Sequence, residues 1–276
     1  MSVYRDMHVR NSEFQRFETL KRNREKRARQ GLFFLEGVHP VEQAIAAGYE
    51  FYCIGIAADT RLSGWANDMI GRAAPEIVYR MAPQLHAELS DREEPCELIC
   101  LARQKPGLPE FDADKSSLYV VFDRPASPGN LGTVFRSADA FGARCVITTG
   151  HAADFYDPQC VRASIGTVFR RPHVNMGGCD EAVEYLRSLP DRPLIVGTSA
   201  RGDRLLTEVD LTGPVAMIIG NETFGLSKGW KEKCDVLAKI PICGGASSLN
   251  VGSAATVCFY ETARQRGFAP NPAAVW

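Results

Sequence analysis

Short apolar runs alternate with amphipathic segments through the N-terminal third of the chain. The apolar runs are bounded by turn residues and predict strands in GLFFLEG, FYCIGIAA, EIVYRM and CELICLAR. The segments between them have apolar residues at helical spacing and predict helices. The first of these covers residues 12–30, with Phe14, Phe17 and Leu20 on one side. This alternation predicts a compact α/β unit.

A segment rich in proline, glycine and aspartate, residues 106–116, predicts a linker to a second α/β unit. In that unit strands are predicted in SLYVVFD, CVITTG, PLIVGTS, PVAMIIG and VLAKIPI. PLIVGTS and PVAMIIG are nearly continuous apolar runs, as expected of strands covered on both faces in a parallel sheet. We therefore expect an N-terminal α/β domain over residues 1–105, the linker, and a C-terminal α/β domain with a parallel sheet over residues 117–276.

The composition is that of an ordinary globular protein, since 45% of the 276 residues are hydrophobic and 24% are charged. No apolar run approaches the roughly 18 residues of a membrane span, and the first residues lack the apolar stretch of a secretory signal. The nine cysteines form no C-x-x-C pair and the five histidines do not cluster with them, which indicates free thiols rather than disulfides or zinc ligands. We expect a cytoplasmic protein with no metal and no membrane association.

Charge is nearly balanced over the whole chain, with a net charge of −1, but it is unevenly distributed. The stretch RFETLKRNREKRARQ, residues 16–30, contains seven basic and two acidic residues. A basic face of this kind can hold nucleic-acid phosphates without reading their sequence. It is equally typical of a solvated helix face with a few ion pairs, so the residue pattern alone leaves both interpretations open.

Three polar loops in the second unit each follow the carboxyl end of an apolar run and precede a predicted helix, where open α/β sheets bind ligands. The first, DRPASPGNLGTVFRSADAFG, contains Asn130 and Arg136. If its early part is loop, both side chains lie near the start of the helix, where an arginine can clamp a phosphate or a carboxylate. A helix cap beside a surface arginine is the alternative interpretation.

The second loop, IIGNETFGLS, has Asn221 and Glu222 directly after an apolar run. A carboxylate buried there needs a partner, which favours either a working role or an N-cap network for the helix that follows. The third, IPICGGASSLNVGSAATV, combines small residues that leave room for a ligand with the polar side chains of Ser247, Ser248 and Asn250. The helix after it has one side made of small residues, Gly252 and Ser253–Ala255, which also predicts a close helix–helix contact.

Two common site motifs are absent from the sequence. It contains no G-x-G-x-x-G and no G-x-x-x-x-G-K-[ST], so an NAD-type Rossmann site and a P-loop are not indicated. The residues by themselves therefore indicate an α/β protein with three polar loops on one sheet edge and a basic N-terminal module.

Taken together and in this order, the three loops resemble the motifs of the SpoU family of RNA ribose 2′-O-methyltransferases, part of the SPOUT class. The matching stretches are SPGNLGTVFRSADAFGA, IIGNETFGLS and IPICGGASSLNVGSAATV, and DPQCVRASIGTVF is similar to the family's intermediate segment. The N-terminal unit looks like the family's substrate-binding domain, which is similar to ribosomal protein L30e. FDRPASPGN and GHAADFYDP look most like ribosomal RNA methylases of the avilamycin-resistance type.

The resemblance implies a C-terminal SPOUT domain with a deep trefoil knot, a homodimer, and S-adenosylmethionine as cofactor. The implied activity is 2′-O-methylation of a ribose in ribosomal RNA, with 23S as the expected species. The alternatives are a transfer RNA methylase of the same family and a non-catalytic RNA-binding protein that kept the fold.

Carried over residue by residue, the resemblance also implies roles for particular side chains. Around the reacting ribose it puts Asn130, Arg136, Glu222, Ser248 and Asn250. Beside the cofactor it puts Thr198, Gly220, Asn221, Ile240, Ile242 and Leu249. The side chains expected to contact RNA are Arg22, Arg24, Arg27, Arg29 and Arg162. The family's proposed base is the arginine at position 136, but the very high pKa of arginine favours stabilising the developing alkoxide and holding a phosphate.

Overall fold

The computed structural model of the protein describes residues 2–105, 107 and 116–269. Two compact units are present, one made of Met1–Pro106 and Asp154–Arg170, the other of Gly107–Ala153 and Arg171–Trp276. The predicted linker over residues 106–116 lies outside the described residues, apart from Gly107 and Ser116.

Strands and helices alternate along both units. The strands are β1 (Val3–Met7), β2 (Leu32–Glu36), β3 (Phe51–Ala57), β4 (Ile77–Met81), β5 (Ile99–Arg103), β6 (Leu118–Asp123), β7 (Cys145–Thr149), β8 (His173–Met176), β9 (Leu194–Thr198), β10 (Arg204–Leu205), β11 (Val215–Ile219) and β12 (Val236–Lys239). The α-helices are α1 (Ser12–Arg22), α2 (Arg24–Gln30), α3 (Val38–Ala46), α4 (Gly64–Ala73), α5 (Pro83–Leu89), α6 (Pro128–Ala140), α7 (Pro158–Ala163), α8 (Cys179–Ser188), α9 (Lys228–Lys233) and α10 (Val251–Gln265).

The N-terminal unit is built on a mixed sheet with the strand order β1-β4-β3-β5-β2. Strands β1, β4 and β3 run parallel, and β5 runs antiparallel to both of its neighbours. The apolar runs predicted every one of these strands except β1. That strand has no apolar pattern to detect, because four of its five side chains are exposed.

The single helix predicted over residues 12–30 is two helices, because Asn23 breaks it. The Asn23 backbone is extended (φ −121°, ψ 109°), and its side-chain oxygen accepts a hydrogen bond of 2.9 Å from the Lys26 N–H. Asparagine offers the backbone such a bond outside a helix, so it ends α1 and caps α2. The predicted apolar side of α1 is confirmed, since Phe14, Phe17 and Leu20 are fully buried.

The C-terminal unit is built on a sheet with the strand order β10-β12-β9-β11-β6-β7-β8, in which every described pairing is parallel. The prediction of a parallel sheet is therefore confirmed. The central strands β6 and β11 are buried at every position, which explains their continuous apolar runs. Strands β8 and β10 were not predicted, because both are short and only partly buried.

Helix α10 packs closely on α6. A Cβ atom at Gly252 would lie 2.7 Å from Cγ2 of Thr133, so any larger residue would force the threonine side chain to shift. One turn further on, the hydroxyls of Ser137 and Thr256 hydrogen-bond at 2.6 Å. The side of the last helix that is made of small residues therefore makes the close helix–helix contact predicted for it.

The segment Asp154–Arg170 belongs to the N-terminal unit, whereas the boundaries drawn from the sequence put it in the C-terminal domain. Its aromatic side chains explain the difference. The Tyr156 and Phe169 rings lie 4.6 and 5.4 Å from the Phe33 ring of β2, measured between centroids, and Phe169 also meets Tyr49 at 5.1 Å. Such aromatic clusters bury large apolar areas. The hydrophobic periodicity of one segment does not show which distant residues it packs against, so the sequence could not place this segment. Within this segment the predicted helix is α7 followed by a 3₁₀ turn at Thr167–Phe169.

Candidate functional site

Four neighbouring strands of the parallel sheet, β6, β11, β9 and β12, end at the same edge, because parallel strands share a direction. The three polar loops singled out from the sequence follow β6, β11 and β12. A fourth, the loop after β9, begins at Ser199 and lies between two of them in the strand order. The topology therefore brings together polar groups that are more than 100 positions apart in the chain.

Glu222 links the second of these loops to the first. Its Oε2 accepts a hydrogen bond of 2.9 Å from the Ala126 N–H, and its Oε1 accepts one of 2.9 Å from the Ser127 N–H. The side-chain amides of Asn130 and Asn221 donate at 3.3 and 3.4 Å. A carboxylate has about four acceptor positions, and these four donors occupy them. Glu222 is therefore a saturated anion that holds two loops together.

The pKa of the Glu222 carboxyl is lowered from its ordinary value of 4.5. Burial, the largest influence, acts to raise the pKa, but the hydrogen bonds from Ala126, Ser127 and Asn130 together outweigh it. The side chain is consequently ionised at neutral pH. The N-cap network suggested for the following helix is not what Glu222 forms, since the cap of α9 is the Ser227 hydroxyl, which accepts from Trp230 N–H.

Asn130 and Asn250 extend this network to the third loop. The Asn250 side-chain nitrogen donates a hydrogen bond of 3.3 Å to Oδ1 of Asn130, and Oδ1 of Asn250 accepts one of 2.9 Å from the Gly252 N–H. Asn250 thereby caps α10, while Asn130 sits in the first turn of α6. The three predicted loops are joined by one line of hydrogen bonds that runs through Glu222, Asn130 and Asn250.

Asp123, at the end of β6, was not among the predicted site residues. It is buried, and its carboxylate accepts from the Ser227 N–H at 2.8 Å, the Thr149 hydroxyl at 3.1 Å and Arg124 Nε at 3.0 Å. The sequence could have indicated Asp123, because this carboxylate ends the apolar run SLYVVFD. Asp123 therefore connects the end of β6 with the end of β7 and with the loop before α9. The next residue, Arg124, has a left-handed backbone (φ 49°).

A cavity of about 520 Å³ lies at the ends of β9 and β12. Its lining residues are Thr198, Ser199, Ala200, Leu205, Lys239, Ile240, Pro241, Ile242, Gly244, Ala246, Ser247, Ser248, Leu249 and Ala254. Most of the predicted cofactor residues are among them, together with Ser248 from the predicted ribose site. The apolar side chains of Ile242 and Leu249 are 39% and 41% exposed, so they form open walls rather than core.

Gly220 and Asn221 do not line this cavity. Gly220 is buried, and a Cβ atom there would lie 2.5 Å from the Leu226 nitrogen and 2.6 Å from the carbonyl carbon of Gly225. Asn221 folds its own loop, because its side chain donates to the Arg124 carbonyl at 2.7 Å and its backbone pairs with Gly225. The contacts of both residues indicate that they fix the conformation of the second loop.

Arg136 lies on the exposed surface of α6 and makes no hydrogen bond or ion pair to any of the residues that the structure describes. Helix α6 begins at Pro128, so the early part of this motif is helix rather than loop. Six residues of helix put the Arg136 backbone about 9 Å further along the axis than that of Asn130. Its guanidinium is therefore open to an external anion.

The arginines predicted to contact RNA do not share one environment. Arg22, Arg24 and Arg29 are exposed, and Arg162 is half exposed and pairs with Asp91 at 3.2 Å. Arg27 differs, because its side chain is only 1% exposed.

Arg27 is a structural residue and not a surface contact, which corrects the prediction made for it. It donates to Asp154 at 2.7 Å and to Asp157 at 3.1 Å, and its remaining donors reach the carbonyls of Leu20 and Lys21. Because sequence pattern counts charges without seeing their partners, it could not separate this arginine from its neighbours.

Within residues 2–105, 107 and 116–269, no group of three His, Cys, Asp or Glu side chains is arranged to hold a metal ion. The helices of that same part of the chain include none with the length and hydrophobicity needed to cross a membrane.

Two family models match this chain. The model of the SpoU rRNA Methylase family matches residues 117–260, more than half of the chain, and the SpoU L30e-like domain matches residues 11–100. The chain belongs to the SpoU rRNA methylase family. The resemblance seen in the three loops is thus confirmed, and so is the prediction of an L30e-like N-terminal domain.

Individual relatives match nearly the whole chain. A 23S rRNA (uridine(2479)-2′-O)-methyltransferase of Streptomyces viridochromogenes is 40% identical over 266 residues, which are 93% of this chain and 91% of that protein. The crystal structure of AviRb from the same organism in complex with AdoMet has a TM-score of 0.86 at 38% identity and covers 95% of this chain and 100% of its own. RlmB of Pseudomonas aeruginosa, a 23S rRNA (guanosine-2′-O-)-methyltransferase, is 30% identical over 90% of this chain and 93% of its own.

Proposed function

We propose that this protein is an S-adenosylmethionine-dependent RNA methyltransferase that transfers a methyl group to a ribose 2′-hydroxyl in ribosomal RNA, with 23S as the expected species. The observation that carries the proposal is the hydrogen-bonded line Glu222–Asn130–Asn250 at the sheet edge that also bears the 520 Å³ cavity. Two relatives that match at least 90% of this chain are named as 23S rRNA 2′-O-methyltransferases.

The cavity fits S-adenosylmethionine in size and in chemistry. Its volume lies within the roughly 300–1,000 Å³ of typical small-molecule sites. Ile240, Ile242 and Leu249 offer apolar surface for a purine ring, while the Ser199 and Ser248 hydroxyls and exposed backbone of the third loop offer hydrogen bonds. AviRb has been crystallised in complex with the same cofactor. We assign Thr198 to this site as well, with Gly220 and Asn221 acting through the shape of the neighbouring loop.

The bound cofactor supplies an electrophilic methyl group, and the chain's own residues position the ribose that attacks it. Glu222 has no acceptor position to spare and a lowered pKa, so it is a poor proton acceptor. Its work is to fix the Asn130 amide, which in turn holds Asn250. We assign these two amides, with Ser248, to the ribose. Positioning of this kind can be worth about 7–11 kcal/mol in favourable cases.

Arg136 is assigned to the negative charge that develops on the attacking oxygen and to the adjacent phosphate. A guanidinium does not give up its proton in proteins, so it is unsuited to act as a base. As the oxygen–carbon bond forms and the carbon–sulfur bond breaks, the hydroxyl proton leaves to water. The open position of Arg136 on α6 supports this role, because its donors are not used by the residues around it.

The exposed arginines of the N-terminal unit, Arg22, Arg24, Arg29 and Arg162, are proposed to contact RNA phosphates. Contacts of this kind give affinity that falls with salt and carry little sequence information. We further propose a homodimer, a trefoil knot in the C-terminal domain, the domain boundaries 1–105 and 117–276 for the two functional parts, and a cytoplasmic location where ribosomal RNA is found.

The decisive experiment is a methyl-transfer assay. The protein is incubated with labelled S-adenosylmethionine and either unmodified ribosomal RNA or unmodified transfer RNA, and the labelled nucleotide is mapped by mass spectrometry. We expect label on a ribose of ribosomal RNA. Label confined to transfer RNA would favour the transfer RNA methylase instead.

A non-catalytic RNA-binding protein is the remaining alternative. It has no need of a cofactor, so titration calorimetry with S-adenosylmethionine would give no heat. A saturable heat together with transfer of label excludes that alternative. RNA binding with neither heat nor label would overturn the proposed activity.

A further inference from the structure

Phe224, in the loop between β11 and α9, is the most exposed large apolar side chain in the described part of the protein, at 77% of its full accessible surface. Burial of a phenylalanine ring stabilises a fold, and the fold forgoes that stabilisation here. A single exposed ring needs no explanation by itself. The surroundings of this ring, however, indicate a use.

The turn that carries Phe224 is held rigidly. Asn221 and Gly225 exchange two backbone hydrogen bonds of 3.0 and 2.9 Å. Within this bridge, Oδ1 of Asn221 accepts from the N–H groups of Thr223 and Phe224 at 2.9 and 3.0 Å. Gly225 has φ +65°, which closes the turn at no steric cost. Phe224 is therefore presented on a fixed support, and its exposure does not come from a loose loop.

The turn that carries Phe224 also positions residues of the candidate site. Asn221, which fixes the Phe224 backbone through its oxygen, donates through its nitrogen to Arg124 at 2.7 Å and to Glu222 at 3.4 Å. Glu222, two residues before Phe224 in the turn, then accepts a hydrogen bond from the side-chain amide of Asn130. The ring and the ribose-positioning amides are thus set by one shared network.

The polar character of the surroundings selects the kind of partner. The neighbours of Phe224 in the turn are Thr223 and Gly225, and the exposed cation Lys228, whose side chain is 90% accessible, follows at the start of α9. A protein interface needs a contiguous apolar patch at its centre, which this turn does not offer. A nucleobase needs only one aromatic face, and a cation such as Lys228, which is exposed although it also pairs with Glu232 at 3.7 Å, suits its phosphates.

We propose that Phe224 is a substrate-positioning residue on which an unpaired base of the RNA stacks, next to the nucleotide that is methylated. This inference rests on the proposed methyltransferase function and adds a specificity contact to it. Proteins that recognise particular RNA sites mostly bind single-stranded loops and bulges, whose unstacked bases are free to stack on aromatic side chains. The ring would set the register of the RNA relative to the amides that hold the ribose.

The test compares Phe224→Ala, Phe224→Leu and Phe224→Trp in steady-state methyl transfer with ribosomal RNA. Loss of a stacked base raises the KM for RNA about tenfold, which corresponds to about 1.4 kcal/mol. Leucine, which is apolar but has no π face, should behave like alanine, and tryptophan should restore a low KM. Calorimetry should give the same dissociation constant for S-adenosylmethionine in all of them.

Phe268→Ala is the matched control, because this ring is also exposed but lies beyond the far end of α10. It should leave the KM for RNA unchanged. If wild-type protein methylates RNA and Phe224→Ala has the same KM, the stacking inference is overturned while the proposed function stands. If wild-type protein methylates no RNA, the proposed function fails first. A Phe224→Ala variant that changes oligomeric state in sedimentation, with an unaltered KM, would identify a second copy of the chain as the partner and overturn the inference.

Discussion

At the scale of single residues, the candidate site depends on a carboxylate whose hydrogen-bonding capacity is fully used. Glu222 receives two backbone and two side-chain donors, and this set lowers its pKa despite burial. Hydrogen bonds to charged groups contribute about 1.5–3 kcal/mol. Glu222 therefore stabilises the fold and also positions the site. Its contribution to stability can be measured through its dependence on pH.

The first prediction concerns Glu222→Gln. At neutral pH the amide cannot accept from both Ala126 and Ser127, so the variant should unfold at lower urea concentration and lose about 1.5–3 kcal/mol. The lowered pKa means that this contribution is fully present above pH 4.5 and is lost as the pH falls through the folded-state value. The wild-type advantage in urea unfolding should therefore shrink in acid. Glu93→Gln, at an exposed position, is the control and should show no such trend. A pH-independent difference would contradict the ionised network.

The second prediction concerns Arg136→Ala. Removing a donor from the developing oxyanion should lower kcat about 10²–10³-fold, as for other oxyanion donors. Affinity for S-adenosylmethionine, measured by calorimetry, should be kept, because Arg136 does not line the cavity. Arg136→Lys keeps the charge without the planar fork and should retain part of the rate. Normal methylation by Arg136→Ala would rule out both the base and the electrostatic role.

At the scale of elements, the loop after β11 acts as a rigid block. Its first residue, Gly220, lies against the main chain of Gly225 and Leu226, so the loop folds back tightly on itself. The Asn221–Gly225 bridge closes the block, and Glu222 projects from it to the start of α6. A change at Gly220 should therefore act on catalysis without touching any ligand.

The third prediction compares Gly220→Ala with Gly213→Ala. The added Cβ at Gly220 meets backbone atoms at 2.5 and 2.6 Å, so the loop must shift, at a cost of about 1–3 kcal/mol. A displacement of about 1 Å at Glu222 can lower kcat by about 10²-fold. At Gly213 nothing lies within 4 Å of the added atom, so that variant should be as stable as wild type or gain about 0.4–1 kcal/mol. Thermal unfolding and methyl-transfer rates check both. Equal behaviour of the two variants would mean that loop packing does not position the site.

At the scale of the whole molecule, the chain leaves the N-terminal unit and later returns to it. The segment Asp154–Arg170 interrupts the C-terminal unit in sequence but packs with the N-terminal one. Two of its carboxylates, Asp154 and Asp157, pair with the buried Arg27 of α2. One charge of α2 is thus used to hold the segment in place, whereas Arg29 of the same helix is exposed.

The fourth prediction separates these two uses of charge within one helix. Arg27→Ala leaves two carboxylates without their partner and should cost about 3–5 kcal/mol of stability. Arg29→Ala, two residues on and exposed, should change stability by less than about 0.5 kcal/mol. It should instead weaken RNA binding and reduce the salt dependence by about 0.7–0.9 in the log–log slope. Chemical unfolding and filter binding at several salt concentrations measure both effects. Equal loss of stability in the two variants would contradict the structural assignment of Arg27.

The sequence by itself determined most strands, the parallel C-terminal sheet, the family and the three loops, because periodicity, turn residues and short motifs are local and need no partner to be read. Tertiary structure alone decided what the charged residues do. Arg27 and Arg29 look alike in the sequence, yet one faces two carboxylates brought from 127 and 130 positions away and the other faces solvent. The same holds for Glu222, whose two backbone donors, Ala126 and Ser127, lie 96 and 95 positions upstream. Burial and distant partners set the energy of a charge, and only the folded chain specifies them.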